Sequence, residues 1–533
     1  MKLLFILLAL PLFCFGQNVN IPDANFKAYL VGNPSINTNG DNEIQGSEAS
    51  AFNGTIDCGQ MNISNLTGIE AFVSLTNLIC MTNALTSLDI SGCTALATLY
   101  CPYNQLTSLD ISGCTALTTL YCPYNQLTNL DVSGFNALTT LYCENNQLTS
   151  LDVSGATALT TLNCNWNQLT SLDASGATAL TTLNCNWNNS LTSIDVSSCT
   201  ALTGLDCSNN QLTSLDVSGC TALTGLNCIN NQLTSLDVSG CTALGLLYCY
   251  NNQLTSLDVS GATALTTLNC HSNQLTSIDV SSCTALTGLH CSNNQLTSID
   301  VSSCTALTGL HCSNNQLTSL DVSGCTALGL LNCPYNQLTN LDISGCNAIG
   351  VLYCNDNQLT NLDISGCTAL TGLNCINNQL TSLNVKNGNN INMDEFENPV
   401  DGSYIQAFLA YNNPNLSCIE VDNVAWSTAN WLIAYNIDST ASFSLNCSGA
   451  GISDINESNT LMIYPNPTNG EFIIDITKGL IGEQYYITDF SGKIIKIGKF
   501  ENTKEKVDID DFSKGVFIIQ IKNRNIQERI IKL

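Results

Sequence analysis

Residues 117–137 read LTTLYCPYNQLTNLDVSGFNA, and this stretch decides the fold. Leu120 and Cys122 alternate toward one side of a short strand, while Tyr121 between them faces the other way. Leu117, Leu127 and Leu130 supply the remaining apolar positions on the inner side. Asn125 follows the strand where the chain must turn. Its side-chain amide carries donors and an acceptor for backbone groups that a turn leaves unpaired. One such unit cannot bury its apolar side alone, so it requires neighbours of the same kind.

Those neighbours are present. Cys80, Cys101, Cys122, Cys143, Cys164 and Cys185 stand 21 residues apart. The step to Cys207 is 22, because Trp187-Asn188-Asn189-Ser190 holds one extra residue. The shorter period then resumes at Cys228 and runs to Cys375, giving 15 cysteines in one column. A second column of ten runs from Cys93 to Cys367, with Phe135, Ala156, Ala177 and Ala262 standing in for cysteine. Replacement by Phe and Ala marks a packing role, and buried free thiols are expected in both columns. The columns contain no C-x-x-C spacing for a tetrahedral metal. Cys418 and Cys447 lie past the repeats, in a chain that reads as exported, and are expected to pair.

The unit L-x-x-L-x-C-x-x-N-x-L resembles the leucine-rich repeat, with cysteine in a leucine slot, and recurs in register from about Leu75 to Val385. The array resembles secreted bacterial leucine-rich repeat proteins of the internalin kind. The resemblance implies an α/β-type leucine-rich repeat solenoid, mostly short parallel strands and turns. The second half-repeat, LTSLDVSGCTA, alternates on its own account, so a parallel β-helix is the alternative. Strands about 4.8 Å apart stack such an array to roughly 70 Å.

Residues 1–16 read as a signal peptide: Lys2, an apolar run from Leu3 to Phe15, then Gly16 before the expected cut. Phe13 ahead of Cys14 argues against lipidation there. No other apolar run reaches eighteen residues, so no transmembrane helix is expected. Residues 17–79 read as an N-terminal cap, 80–385 as the solenoid, 386–448 as a C-terminal cap and 449–458 as a linker. Residues 459–533 read as a small all-β sandwich, with FIIDI, YYITDF, KIIKIGKF, VFIIQI and ERIIKL split by turn dipeptides. Residues 28–385 contain no Lys or Arg, whereas 459–533 contain eleven.

That tail resembles the C-terminal sorting domain of type IX secretion. The matching segments are Tyr464-Pro465-Asn466-Pro467-Thr468-Asn469-Gly470, Ile487-Thr488-Asp489-Phe490-Ser491-Gly492-Lys493, Phe512-Ser513-Lys514-Gly515-Val516-Phe517 and Lys532-Leu533. The resemblance implies secretion machinery as a partner of residues 459–533, and a secreted or outer-cell-surface location. It implies no catalytic role for the tail.

The chain holds 14 basic and 42 acidic residues, a net charge of −28. Such a surface has little to neutralise phosphates, so nucleic acid is not expected as a partner and an anionic membrane is an equally poor one. Catalysis is not expected either. The only histidines are His271, His290 and His311, and the last two face away from the adjacent inward Cys291 and Cys312. A periodic aspartate row from Asp89 to Asp363 offers no cleft that would raise one carboxyl.

Outward positions vary among otherwise near-identical repeats. The strand's solvent position carries Tyr100, Tyr121 and Tyr142, and the position two past the inner cysteine carries Tyr103, Tyr124, Trp166 and Trp187. Exposed aromatic rows suit protein hot spots or sugar faces. These seven residues form the expected ligand-binding face. Asn37–Glu48 partly resembles a calcium loop, with Asn37, Asn39, Asp41, Glu43 and Glu48 as weak metal candidates and Asn42 where the turn wants Gly. A loop that merely holds the cap together is the competing reading, and Ca2+ is the sole cofactor suggested. The function expected is an extracellular protein-binding or adhesion module; the alternative is binding of a glycan or extracellular polymer, assisted by calcium.

Overall fold

The computed structural model describes residues 16–393, 395–397, 404–432, 435–447, 461–464, 466, 468–476, 480–489, 493–521 and 527–532. The signal-peptide expectation therefore lies almost wholly outside the described residues. The chain forms two units, Met1–Cys447 and Ser448–Leu533.

In the first unit every repeat contributes a three-residue strand, such as Thr98–Tyr100, Thr119–Tyr121 and Thr140–Tyr142. Equivalent residues pair in parallel across coils, Leu99 with Leu120 and Leu120 with Leu141. Seventeen strands, from Thr55–Asp57 to Phe408–Leu409, make one sheet. Leu120 and Cys122 are 0% exposed, while Tyr121 between them is half-buried. All 25 column cysteines are buried free thiols. Burial of each leucine contributes about 1.5–3 kcal/mol, which the coils obtain only by stacking.

The expected α/β class is overturned. Among the described residues the repeats contain no helix, and they form a helix-poor β-solenoid whose strands all pair in parallel. The second half-repeat is extended instead, and in places it is a strand. Ser171–Asp173 pairs with Ser193–Asp195, and Ser235–Asp237 with Ser256–Asp258. The reason is geometric. A helix advances 1.5 Å per residue and a strand about 3.3 Å, and the residues left after the first strand and its turn must return the chain to its start one coil further on. Turn chemistry helps: Asp131 Oδ1 accepts from the Ser133 N–H at 3.0 Å and its hydroxyl at 2.7 Å. At Gly155 the coils approach closely, since a Cβ would lie 1.6 Å from the Ser133 carbonyl oxygen of the previous coil, whereas Ser198, Ser282 and Ser303 hold the same slot elsewhere.

An asparagine ladder stitches the coils. Asn125 Nδ2 donates to the carbonyls of Cys101, Cys122 and Pro123 at 3.1, 3.1 and 3.2 Å. Its Oδ1 accepts from Leu106 N–H at 3.0 Å, one coil back. Asn146 repeats the pattern on Cys122, Cys143, Glu144 and Leu127. At the one-residue insertion, Asn210 Oδ1 accepts from Asn188 N–H at 2.9 Å rather than from the following leucine. The Gln211 side chain then bonds the Asn189 carbonyl. By Leu212 and Asn231 the regular bond is restored.

The N-terminal end is closed by the helix Ala24–Val31. Its cap, Asp23, takes the amides of Asn25 and Phe26 on one oxygen and those of Ser64 and Asn65 on the other. At the other end the ladder continues past Val385. Asn413 bonds the carbonyls of Cys375 and Ala410 and accepts from Leu380 N–H. Trp431 stacks on Phe408 at 4.0 Å, and Cys418 is joined to Cys447.

The second unit has two antiparallel sheets. One holds Leu461–Tyr464, Glu471–Ile476 and Lys504–Asp508; the other holds Gln484–Asp489, Ile494–Lys499, Gly515–Ile521 and Gln527–Lys532. Phe472, Ile474, Val507, Ile487, Ile519 and Ile530 share one core. Lys532 is buried, and its ammonium donates to the carbonyls of Ile509, Asp510 and Phe512 at 2.7–2.8 Å.

Candidate functional site

The outward face of the main sheet is built from three columns. They are the residue before the inner cysteine, the residue after it, and the one after that. The third column is left-handed in every coil, with φ between 50° and 57° from Thr82 to Asn412. Asn occupies it in eight coils, as its tolerance of this conformation favours. Tyr103, Tyr124, Trp166, Trp187 and Tyr335 occupy it elsewhere, 39–55% exposed. A bulky residue there is held at a cost of about 1–2 kcal/mol and buries little in return.

Four of these rings offset part of that cost by stacking. Tyr103 lies on Tyr124 at 4.4 Å and 10°, and Trp166 on Trp187 at 4.7 Å and 12°. The strand column stacks beside them, with Tyr100 on Tyr121 at 4.4 Å and Tyr121 against Tyr142 at 5.1 Å. All seven residues of the expected face therefore lie on neighbouring coils of one surface. Burial, and then the Glu144 carboxylate, push the Tyr121 phenol up to about 12.

The column between the two aromatic rows was not singled out from sequence, and it holds the unusual atoms. Glu144 is 9% exposed. Its Oε2 is buried without a hydrogen-bond partner among the described residues, as are Asn165 Oδ1 and Asn186 Oδ1 on the next two coils. Burial holds the Glu144 carboxyl above the usual range. The only signal in the sequence is that Glu and Asn occupy a column that holds Pro102 and Pro123 in the two coils before.

Further along, the histidines form a stack with Tyr250. Its ring lies 4.4 Å from His271, His271 lies 4.4 Å from His290, and His290 lies 5.0 Å from His311. Burial, with His271 and His311 on either side, lowers His290 to about 4.

The aspartate row lies on the face of the second half-repeats. A groove of about 470 Å³ there is lined by Asp131, Asp152 and Asp173. Their carboxylates are already engaged by the serines of the turn, which hold Asp131 and Asp152 below the ordinary carboxylate range. The Asn37–Glu48 loop is likewise knit to itself. Glu48 accepts from Thr38, Asn39 and Gln45 backbone N–H groups at 2.8, 3.2 and 3.0 Å. Asp41 accepts from Glu43 N–H, Asn37 Nδ2 donates to the Asp41 carbonyl, and Glu43 pairs with Lys27 at 2.6 Å. Among the described residues no group of three or more His, Cys, Asp or Glu is placed to hold a metal ion. No helix among them is long and apolar enough to cross a membrane.

Residues 462–533 match the family described as a secretion system C-terminal sorting domain. Residues 178–220, 263–304 and 284–324 match leucine-rich repeats. Among solved structures the chain is similar to the functional domain of InlJ from Listeria monocytogenes, a structure described as including a cysteine ladder. The two share 29% identity over 97% of this chain and 98% of that one, with a TM-score of 0.56. The plant peptide hormone receptor RGFR1, solved in complex with RGF2, shares the fold at 23% identity. That match covers 64% of this chain and 62% of the receptor, with a TM-score of 0.53. No curated protein matches the chain. The chain thus carries leucine-rich repeats and a secretion-system C-terminal sorting domain, and its fold is similar to that of an internalin. The sorting domain places the chain in secretion or at the cell surface.

Proposed function

We propose that the protein binds another protein outside the cell through the aromatic band of Tyr100, Tyr103, Tyr121, Tyr124, Tyr142, Trp166 and Trp187. A signal peptide at residues 1–16 would begin its export, and the sorting domain would complete it. The observation that carries this reading is the left-handed backbone at Tyr103, Tyr124, Trp166 and Trp187. Asn fills the same slot in eight coils of the same interior, so coil packing does not call for a ring there. An exposed, stacked and strained aromatic band is what a contact surface needs, since rigid rings give large area for little lost entropy.

The test is an array of surface proteins and glycans, with and without calcium, probed with wild type and the Tyr121→Ala/Trp166→Ala double variant. A defined protein hit that weakens at least about tenfold in the double variant, with unchanged circular dichroism, supports the reading. Equal binding by both proteins moves the contact elsewhere. A calcium-dependent glycan hit replaces the reading with polymer binding.

A further inference from the structure

We infer that the surface of coils 142–187 accepts a basic segment of its protein partner, with a guanidinium or ammonium group seated on Glu144, Asn165 and Asn186. This rests on the protein-binding reading of the aromatic band and names the chemistry of what docks there. Three consecutive coils each present one buried atom without a partner, and all three are acceptors. The donor end of Asn186 is already turned to Asp206, at 2.9 Å. An unmade hydrogen bond at a buried acceptor costs about 1–3 kcal/mol, and a bound donor recovers it.

Three features select a cationic donor. Glu144 supplies charge, and Lys and Arg side chains are donors without acceptors, matching a row with acceptors left over. The flanking columns are aromatic, Tyr121 and Tyr142 on one side and Tyr124, Trp166 and Trp187 on the other, and ring faces attract cations. No Lys or Arg occurs between residues 28 and 385, so nothing in the array competes for the position. The acceptors are shut off from solvent, and docking needs only the rotamer changes common at interfaces.

The test uses the full chain and three probes: an Arg- and Lys-rich decapeptide, its Glu-rich counterpart and cellohexaose. Binding is followed by calorimetry and by tryptophan fluorescence, since Trp166 and Trp187 border the site. The basic decapeptide is expected to bind, less tightly as salt rises. Glu144→Gln, which keeps the side chain's shape, should weaken it about tenfold, and Asn165→Asp should tighten it. Asp279→Asn with Asp300→Asn removes charge on the other face and should leave affinity unchanged. The inference is overturned if Glu144→Gln binds like wild type, if the two-aspartate variant loses as much, or if cellohexaose alone binds. If Glu144→Gln is silent while Tyr121→Ala/Trp166→Ala still loses the natural partner, the aromatic face stands and only its cationic occupant falls. Silence of both variants removes the two readings together.

Discussion

The coils from Thr98 to Trp187 and those from Gly204 to Asn377 share one interior and carry two different surfaces. Inside, Leu120 and Leu310 occupy the same slot with no exposure, and so do Cys122 and Cys312. Asn125 and Asn315 make the same bonds to the same positions. Outside, the left-handed slot holds Tyr and Trp in the first stretch, with Asn145 the exception. In the second it holds mainly Asn, as at Asn209, Asn230, Asn251, Asn293 and Asn314. Packing confines each interior slot to a few apolar residues, as where Phe135, Ala156, Ala177 and Ala262 take the place of cysteine. The outer columns are where sequence can respond to something besides folding, and in the first stretch they accept strain to do so.

If the interiors are truly equivalent, damage to them should be equal. Asn146→Ala and Asn315→Ala each leave one buried amide, that of Leu127 or Leu296, without its acceptor, and each take one of two donors from three carbonyls. Both should lose about 1–3 kcal/mol in denaturant unfolding, within error of each other. A large difference between them would break the comparison.

The surfaces should behave oppositely. Tyr335 is left-handed at φ 55° and makes no ring contact among the described residues. Tyr335→Asn is expected to stabilise by about 0.5–1 kcal/mol. Trp166→Asn should be close to neutral, because relief of strain is offset by loss of the stack on Trp187, worth about 0.5–1.5 kcal/mol. Thermal unfolding of the two variants side by side separates strain from stacking.

The smallest effect concerns acid. His290 titrates at about 4 in the folded chain and near 6.5 when unfolded. The unfolded chain therefore binds more protons between these values, and stability falls as pH drops through that window. The imidazole is only partly buried, so after solvent screening the loss should stay below about 1 kcal/mol. His290→Asn should lessen the slope of stability between pH 4.5 and 6.5, with the part owed to His271 and His311 remaining, measured by denaturant titration at several pH values. Substitutions of non-titrating residues in the histidine-free coils 98–187 should leave that slope untouched.

Much of the first unit was legible because its rules are local and repeated. Leu120, Cys122 and Asn125 announce their roles by period alone. The extended second half-repeat was harder. Strands of three residues carry too little alternation to be told from turns, and the family resemblance pulled toward helix. The extra coil that ends in Asn413 was hidden because Ala410 replaces the marker cysteine and the spacing lengthens. Of the candidate face, the two aromatic columns were visible as variation against a constant background. The strain beneath them was not, since residue type does not reveal φ. Nor was the acceptor row, which depends on the burial of single atoms.

The thiol columns have a consequence in time. The column cysteines lie wholly shielded, and burial pushes the Cys101 and Cys164 thiols up to about 12. At neutral pH only about one in 100,000 of such groups is ionised, so oxidants and disulfide exchange find no nucleophile in the folded array. The nascent chain has no such protection, because an exposed thiol ionises near 8.5. An exported chain thus has a brief window of vulnerability, in which stacking of coils competes with random crosslinking. Each coil laid down closes that window over its own cysteines.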